Sequence, residues 1–236
     1  MEIKNINFAH RGCHNEKIPE NSMSAFKECL KKGTPFEFDV HILKDGNVIV
    51  FHDDNLIRMT GKNKKINDCT LEDLKHVYLL NSNEKIPLFK DVLNLVNGKV
   101  MLDIELKFDH KKYLLEDEVI KLLKDYKGDV ILKSFDYKTV NYLKKNTNYK
   151  VGLLFPNIDN PKYGYNKLKK FLIRNTNFNY IIKPDFIACQ KTALNDKPIK
   201  KYKKSGKPVI VWTIKSKEEL KKYKDGADSY ILENII

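Results

Sequence analysis

A chain of 236 residues, 42% of them hydrophobic and 32% charged, is long enough for a sizeable core and too apolar to be disordered. No stretch approaches the ~20 consecutive apolar residues of a membrane span. Residues 1–10 show neither an apolar signal region nor a small-residue cleavage site, so a cytoplasmic location is the expectation.

In chain order, Ile3–Ala9 reads as a strand and Ser22–Lys32 as a helix opened by a serine cap. Phe36–Ile42 and Asn47–Phe51 read as strands joined by the hairpin signal Lys44-Asp45-Gly46. Thr70–Leu80 is predicted helical, with Thr70 and Asp73 at capping-box spacing. A short helix is predicted from Pro87 to about Val96. The rhythm then becomes regular. Strands are predicted at Val100–Leu106, Val130–Ser134, Lys150–Phe155, Phe186–Cys189, Val209–Thr213 and Ser229–Leu232. Helices fall between them, near Tyr113–Tyr126, Tyr137–Lys145, Tyr165–Arg174, Ala193–Ser205 and Lys217–Tyr223. This alternation predicts a parallel sheet with right-handed crossovers. Eight main strands favour closure into a (β/α)₈ TIM barrel over an open sheet. Residues 1–236 read as a single barrel domain with a small insertion at about 53–98, placed at the barrel mouth. After Leu232 no room is left for an eighth helix.

The net charge of +13 is lopsided. Residues 1–109 hold 16 Lys+Arg against 17 Asp+Glu; residues 110–236 hold 28 against 14. Lysine runs at 167–170, 200–204 and 221–224 raise a nucleic-acid or anionic-membrane reading. Aromatic residues do not alternate with these lysines as a stacking platform requires. Solvated helix faces are therefore expected, with weak attraction to an anionic membrane surface at most and no nucleic-acid or protein partner. Cys13, Cys29, Cys69 and Cys189 include no CxxC pair, and reduced thiols are expected.

In such barrels, chemistry gathers at the C-terminal ends of strands. His10-Arg11-Gly12 follows the first strand, Glu37-Phe38-Asp39 lies in the second, His52-Asp53 follows the hairpin, and Asp103-Ile104-Glu105-Leu106-Lys107 ends the next strand. Residues two apart share a strand face, so Glu37 and Asp39 project together, as do Glu105 and Lys107. Three converging carboxylates need a proton or a cation, and hard oxygen ligands suit one divalent ion, Mg²⁺ or Ca²⁺. Two histidines provide proton transfer, and Arg11 and Lys107 can hold phosphate oxygens.

These residues carry a resemblance. His10-Arg11-Gly12, Pro19-Glu20-Asn21-Ser22, Glu37-Phe38-Asp39-Val40-His41, Val50-Phe51-His52-Asp53, Arg58-Met59-Thr60-Gly61, Ile86-Pro87-Leu88 and Asp103 to Lys107 are similar to the glycerophosphodiester phosphodiesterase family. Ser134-Phe135 and Val211-Trp212-Thr213 extend the likeness into the later strands. The resemblance implies a TIM barrel, a divalent metal on Glu37, Asp39 and Glu105, and phosphate contacts from Arg11 and Lys107. It implies His10 and His52 as the acid–base pair, here assigned as base and acid respectively. It also implies attack of a glycerol hydroxyl on phosphorus, a cyclic phosphate opened by water, and glycerol 3-phosphate plus an alcohol as products. Glu20 and Asn21 are expected to brace the first loop and the metal ligands. Trp212 is expected in the pocket wall or the core, and His41 in a structural hydrogen bond. His14, His76 and His110 carry no assignment. The family's frequent Thr-Asp pair after the last strand is replaced by Leu232-Glu233-Asn234, which puts the closing edge and its loop in question.

Two other readings stay open. A lysophospholipase D or sphingomyelinase-D-like enzyme would need a greasy wall by the phosphate site, for which Tyr78, Leu79 and Leu80 are candidates. A catalytically silent basic barrel binding nucleic acid or anionic membrane would have no need of the carboxylate–histidine set.

Overall fold

The computed structural model describes residues 2–80, 82–107 and 113–235. The strands are β1 (Asn7–Ala9), β2 (Phe36–Ile42), β3 (Val48–Val50), β4 (Leu102–Leu106), β5 (Val130–Ser134), β6 (Lys150–Phe155), β7 (Phe186–Gln190), β8 (Val209–Ile214) and β9 (Ser229–Leu232). Eight of them run parallel in the ring order β1, β2, β4, β5, β6, β7, β8, β9, and β9 returns to β1. β3 is the antiparallel arm of the hairpin from β2. The architecture is a closed TIM barrel.

The helices are α1 (Met23–Lys32), α2 (Ile57–Thr60), α3 (Leu71–Leu74), α4 (Phe89–Val96), α5 (Leu114–Leu123), α6 (Tyr137–Asn146), α7 (Lys167–Asn175), α8 (Phe178–Ile181), α9 (Lys197–Lys203) and α10 (Lys217–Tyr223). Local chemistry sets their starts. Ser22, Asp136, Asn166 and Ser216 each accept a first-turn backbone N–H, satisfying a donor that the helix itself cannot. Among the described residues no helix follows β9. Closure does not need one, because β1 and β9 pair directly, Asn7 with Tyr230, Phe8 with Ile231 and Ala9 with Leu232.

Strand parity divides the core in two. Phe36, Phe38, Val40, Leu102, Ile104 and Leu106 face outward into a shell shared with the helices. There Phe26, Phe36, Phe38 and Phe89 meet with ring centroids 4.8 to 6.0 Å apart. Inside the barrel, Phe8, Ile131, Leu154, Phe186, Ala188, Ile210 and Ile231 form a separate apolar plug. Glycine makes room for it: a Cβ on Gly152 would lie 2.2 Å from the Phe186 ring. On the β2 and β4 side the inward positions are instead acidic, and there the barrel is built for charge rather than packing.

Two expectations are corrected. Thr70 and Asp73 do form a capping box, but the helix predicted over 70–80 ends at Leu74. Beyond it Val77 and Leu79 are buried while Tyr78 and Leu80 are exposed, which is the two-residue period of an extended chain. Tyr78 accordingly bridges Lys85 in antiparallel fashion. This segment belongs to a small core of its own, with Leu43, Ile49, Phe51, Leu56, Ile66, Cys69 and Leu74. Nor are all four cysteines reduced: Cys13 and Cys29 are disulfide-bonded, with Cα atoms 5.2 Å apart. The loop after β1 folds back along α1 and brings together two residues that spacing alone does not connect. Cys69 and Cys189 are buried free thiols. No helix among the described residues is long and apolar enough to cross a membrane.

The Gly152→Ala variant is expected to lose about 1–3 kcal/mol of stability by overpacking against Phe186, read as a lower urea midpoint with unchanged slope.

Candidate active site

The register of β2 against β4 sets Glu37 beside Asp103 and Asp39 beside Glu105. All four carboxyl groups point into the barrel and all four residues are buried. Such a block would repel itself, and two lysines answer it. Lys107 places Nζ 2.6 Å from Glu105 Oε1 and 2.8 Å from Asp39 Oδ1. Lys133, from β5, lies 2.6 Å from Asp103 Oδ2 and 3.2 Å from Glu37 Oε1. Burial opposes ionisation of Asp39, but Lys107, His52 and Arg11 outweigh it and hold that carboxyl well below its ordinary range.

The other acids are less fully compensated. Burial pushes the Asp103 carboxyl up to about 6, against the pull of Lys133. Burial, aided by the charges of Asp39 and Glu37, pushes Glu105 up to about 7 despite Lys107. One carboxylate oxygen each from Glu37, Asp39 and Glu105 lies within 4.8 Å of the others. Burial is the larger cause of that rise, and the neighbouring carboxylates Asp39 and Glu37 add to it, so a cation beside Glu105 would favour its ionised form. Three hard anionic oxygens converging under those conditions fit a divalent cation such as Mg²⁺ or Ca²⁺. Asp103 stands apart, paired with Lys133. Sequence reasoning assigned neither a role, although Lys133 at the inward parity of an apolar strand was a readable signal.

Each histidine at the mouth is held by a carboxylate. His10, directly after β1, has Nδ1 2.7 Å from Glu233 Oε2, and Glu233 also takes Lys215 Nζ at 2.7 Å. His52 has Nδ1 2.6 Å from Asp53 Oδ1. The hydrogen bond from His10, then that from Lys215, hold the Glu233 carboxyl well below its usual range. A carboxylate only accepts, so in both pairs Nδ1 carries the hydrogen and Nε2 is left for proton exchange. Burial lowers the His52 pKa; Asp39 opposes this, and Lys107 and Arg11 add to it. His41 does not join them. It is buried on β2 with Nε2 3.3 Å from the His52 carbonyl oxygen, and burial brings its pKa down to about 4.

A chain of charges ties the two histidine loops together. Asp53 Oδ2 accepts from Arg58 Nε at 2.5 Å, Arg58 donates to Glu20 at 2.6 and 3.1 Å, and Glu20 accepts from Arg11 at 2.7 Å. Asn21 Nδ2 donates to Asp39 Oδ2 at 3.0 Å. Glu20 and Asn21 thus sit behind the cavity and touch the residues that line it. Arg11 and Gly12 both adopt left-handed backbone, φ 54° and 82°. Gly12 is required there, since a Cβ would come within 2.9 Å of Ala25 Cβ. This turn lets the Arg11 amide reach Glu37 Oε2 at 3.2 Å.

The result is a cavity of about 460 Å³ lined by His10, Arg11, Glu37, Asp39, His52, Glu105, Lys107 and Trp212, with Lys162 and Tyr163 arching over from the β6–β7 connection. Trp212 donates its indole N–H to the Ala188 carbonyl at 2.9 Å and meets Phe135 edge-on. Tyr78, Leu79 and Leu80 do not line this cavity. His110 lies outside the described residues.

The family model described as the glycerophosphoryl diester phosphodiesterase family matches residues 10–232. The chain belongs to this family. It is 28% identical to a glycerophosphodiester phosphodiesterase from Caldanaerobacter subterraneus subsp. tengcongensis, over 98% of this chain and 95% of that protein. The crystal structure of a glycerophosphodiester phosphodiesterase from Thermotoga maritima superposes with a TM-score of 0.73 at 28% identity, covering 96% of this chain and 93% of that one. An Oleispira antarctica phosphodiesterase, solved in complex with the product sn-glycerol-3-phosphate, shares the fold with a TM-score of 0.79 at 20% identity, covering 97% and 93%.

In this phosphodiesterase the loop after the last strand, questioned from sequence, places Glu233 against His10. Only the spatial neighbourhood of β1 and β9 reveals that pairing. The Glu233→Gln variant is expected to lower kcat by roughly 10²-fold or more, as loss of acid–base function does, with the thermal midpoint little changed. Glycerol 3-phosphate release and a melting curve measured side by side check both halves.

Proposed function

We propose that this chain hydrolyses glycerophosphodiesters to glycerol 3-phosphate and an alcohol, with Glu37, Asp39 and Glu105 holding one divalent cation and His10 and His52 moving the protons. The observation that carries the reading is the pair of carboxylate-held imidazoles opening on the same cavity as three clustered carboxylates. When bound, the cation would neutralise charge that grows on the phosphoryl oxygens. Arg11 and Lys107 line the same cavity and supply positive charge for the remaining phosphate oxygens.

The chain's own groups set the proton traffic. Burial lowers the His52 pKa and so favours its neutral ring, which suits it to take the proton from the attacking hydroxyl. His10, whose positive form Glu233 can stabilise at 2.7 Å, then gives a proton to the leaving alkoxide. This reverses the roles expected from sequence. Asp53 and Glu233 keep each ring's Nε2 aimed for exchange, and the Arg11–Glu20–Arg58 chain fixes the two loops relative to each other. Glycerophosphodiesters are preferred over single-chain lipids because relatives spanning nearly the whole chain carry that name. The candidate greasy wall also fails, with Leu79 packed into the insertion's own core.

The test is release of glycerol 3-phosphate from glycerophosphocholine, glycerophosphoethanolamine and glycerophosphoglycerol, with and without chelator, beside lysophosphatidylcholine. Activity lost to chelator and restored by Mg²⁺ or Ca²⁺ is expected; full activity in chelator, or turnover confined to lysophosphatidylcholine, would overturn the reading. His10→Ala and His52→Ala should each reduce turnover by about 10²–10⁴-fold, and Glu37→Gln should weaken cation binding in calorimetry.

A pH profile tests the role of His52. A base whose pKa is lowered stays deprotonated to more acidic pH, so the acid limb of kcat/KM should inflect below the ordinary imidazole value of 6.5. An inflection above it would remove His52 from the base role.

A further inference from the structure

We propose that the connection between β6 and β7 is a docking surface for an anionic lipid bilayer, engaged through helices α7 and α8. A surface helix ordinarily turns its apolar stripe toward the core; α7 does the reverse. Leu168, Phe171 and Leu172 share one face at i, i+3 and i+4 spacing, and they are 67%, 63% and 58% exposed. The half-buried residues of α7 are Lys170 and Ile173, from the opposite side. Tyr180 and Ile181 on α8 extend the greasy surface, at 75% and 65% exposure. Phe178 and Ile182, both buried, anchor α8 to the body of the protein. The anchor is specific, with Phe178 packed edge-on against Phe155 at the end of β6.

Charge selects the occupant. Residues 160–184 contain no aspartate or glutamate, yet carry Lys162, Lys167, Lys169, Lys170, Lys183 and Arg174. Asp159, just before the segment, pairs with Lys170 and Arg174. Lys167 and Lys169 flank the apolar stripe, and Lys169 stands 4.4 Å over the Tyr165 ring. Apolar side chains projecting outward between cations match an interface of acyl chains beneath anionic headgroups. A nucleic acid would leave the aliphatic residues unsatisfied, and a second copy of a surface this basic would repel it. The same connection supplies Lys162 and Tyr163 to the cavity wall, so docking would hold the mouth close to the lipid surface. Glycerophosphodiesters are what remains when both acyl chains leave a phospholipid, so reactions that deacylate lipids would supply substrate there. The docking claim itself stands on this surface alone and is tested without measuring hydrolysis.

The experiment is co-sedimentation of the full chain with vesicles of phosphatidylcholine alone and of phosphatidylcholine mixed with phosphatidylglycerol, at low and high salt. Binding to the mixed vesicles should be at least about tenfold tighter than to the neutral ones and weaken with salt. The triple variant Leu168→Ser, Phe171→Ser, Leu172→Ser should lose at least about tenfold of that binding while keeping its thermal midpoint. Should that variant not fold, the pair Lys167→Gln and Lys169→Gln must weaken binding to mixed vesicles. Equal binding of wild type and variant, equal binding to neutral and anionic vesicles, or a wild-type dimer in light scattering that the triple serine variant dissolves would each overturn the proposal.

Discussion

Four carboxyl groups and two lysines share the inside of one half of the barrel, and the rest of the site is arranged around their balance. Buried charges cost free energy unless each meets a partner, and here the partners come from neighbouring strands in register. Lys133 satisfies Asp103 and Glu37, while Lys107 satisfies Asp39 and Glu105. Burial still leaves Glu105 harder to ionise than Asp39, its neighbour on the same lysine. The apolar plug under β5 to β9 makes this possible, because it supplies the packing that the acidic half gives up. The division follows from strand parity: β2 sends phenylalanines outward to the helices and acids inward to the cavity.

Around that centre the polar residues form one connected frame. From His52 the chain runs through Asp53, Arg58 and Glu20 to Arg11, and Arg11 contacts both Glu37 and Asp39. Two catalytic candidates 42 positions apart in sequence, His10 and His52, therefore lie on loops joined by this frame, while each ring keeps its own carboxylate, Glu233 and Asp53. Such a frame holds the two loops more firmly than a lone hydrogen bond would. Glu20 and Asn21 act through these partners and lie outside the cavity wall.

The barrel and most of the cavity were legible because both rest on short-range rules. Alternation fixes which residues share a face, and strand ends fix where those faces open; Glu37, Asp39, Glu105 and Lys107 followed from that. Glu233 did not, since its tie to His10 spans 223 positions and exists only once β9 meets β1. Lys133 lies at an inward parity of β5, but its pairing with Asp103 and Glu37 needs β5 beside β4 and β2 beyond it. The helix over 70–80 was overextended because a correct cap says where a helix starts and nothing of where it stops. The Cys13–Cys29 bond was missed because a fold-back along α1 leaves no trace in cysteine spacing.

Closure of the ring by direct pairing of β1 with β9 has an outcome for synthesis. During synthesis His10 leaves the ribosome 223 positions ahead of its carboxylate partner, Glu233. A chain that has passed β4 but not reached β9 holds the acidic strands without the closing strand or the carboxylate that orients the His10 ring. The ring closes and the His10 imidazole gains its carboxylate in the same step, when β9 arrives.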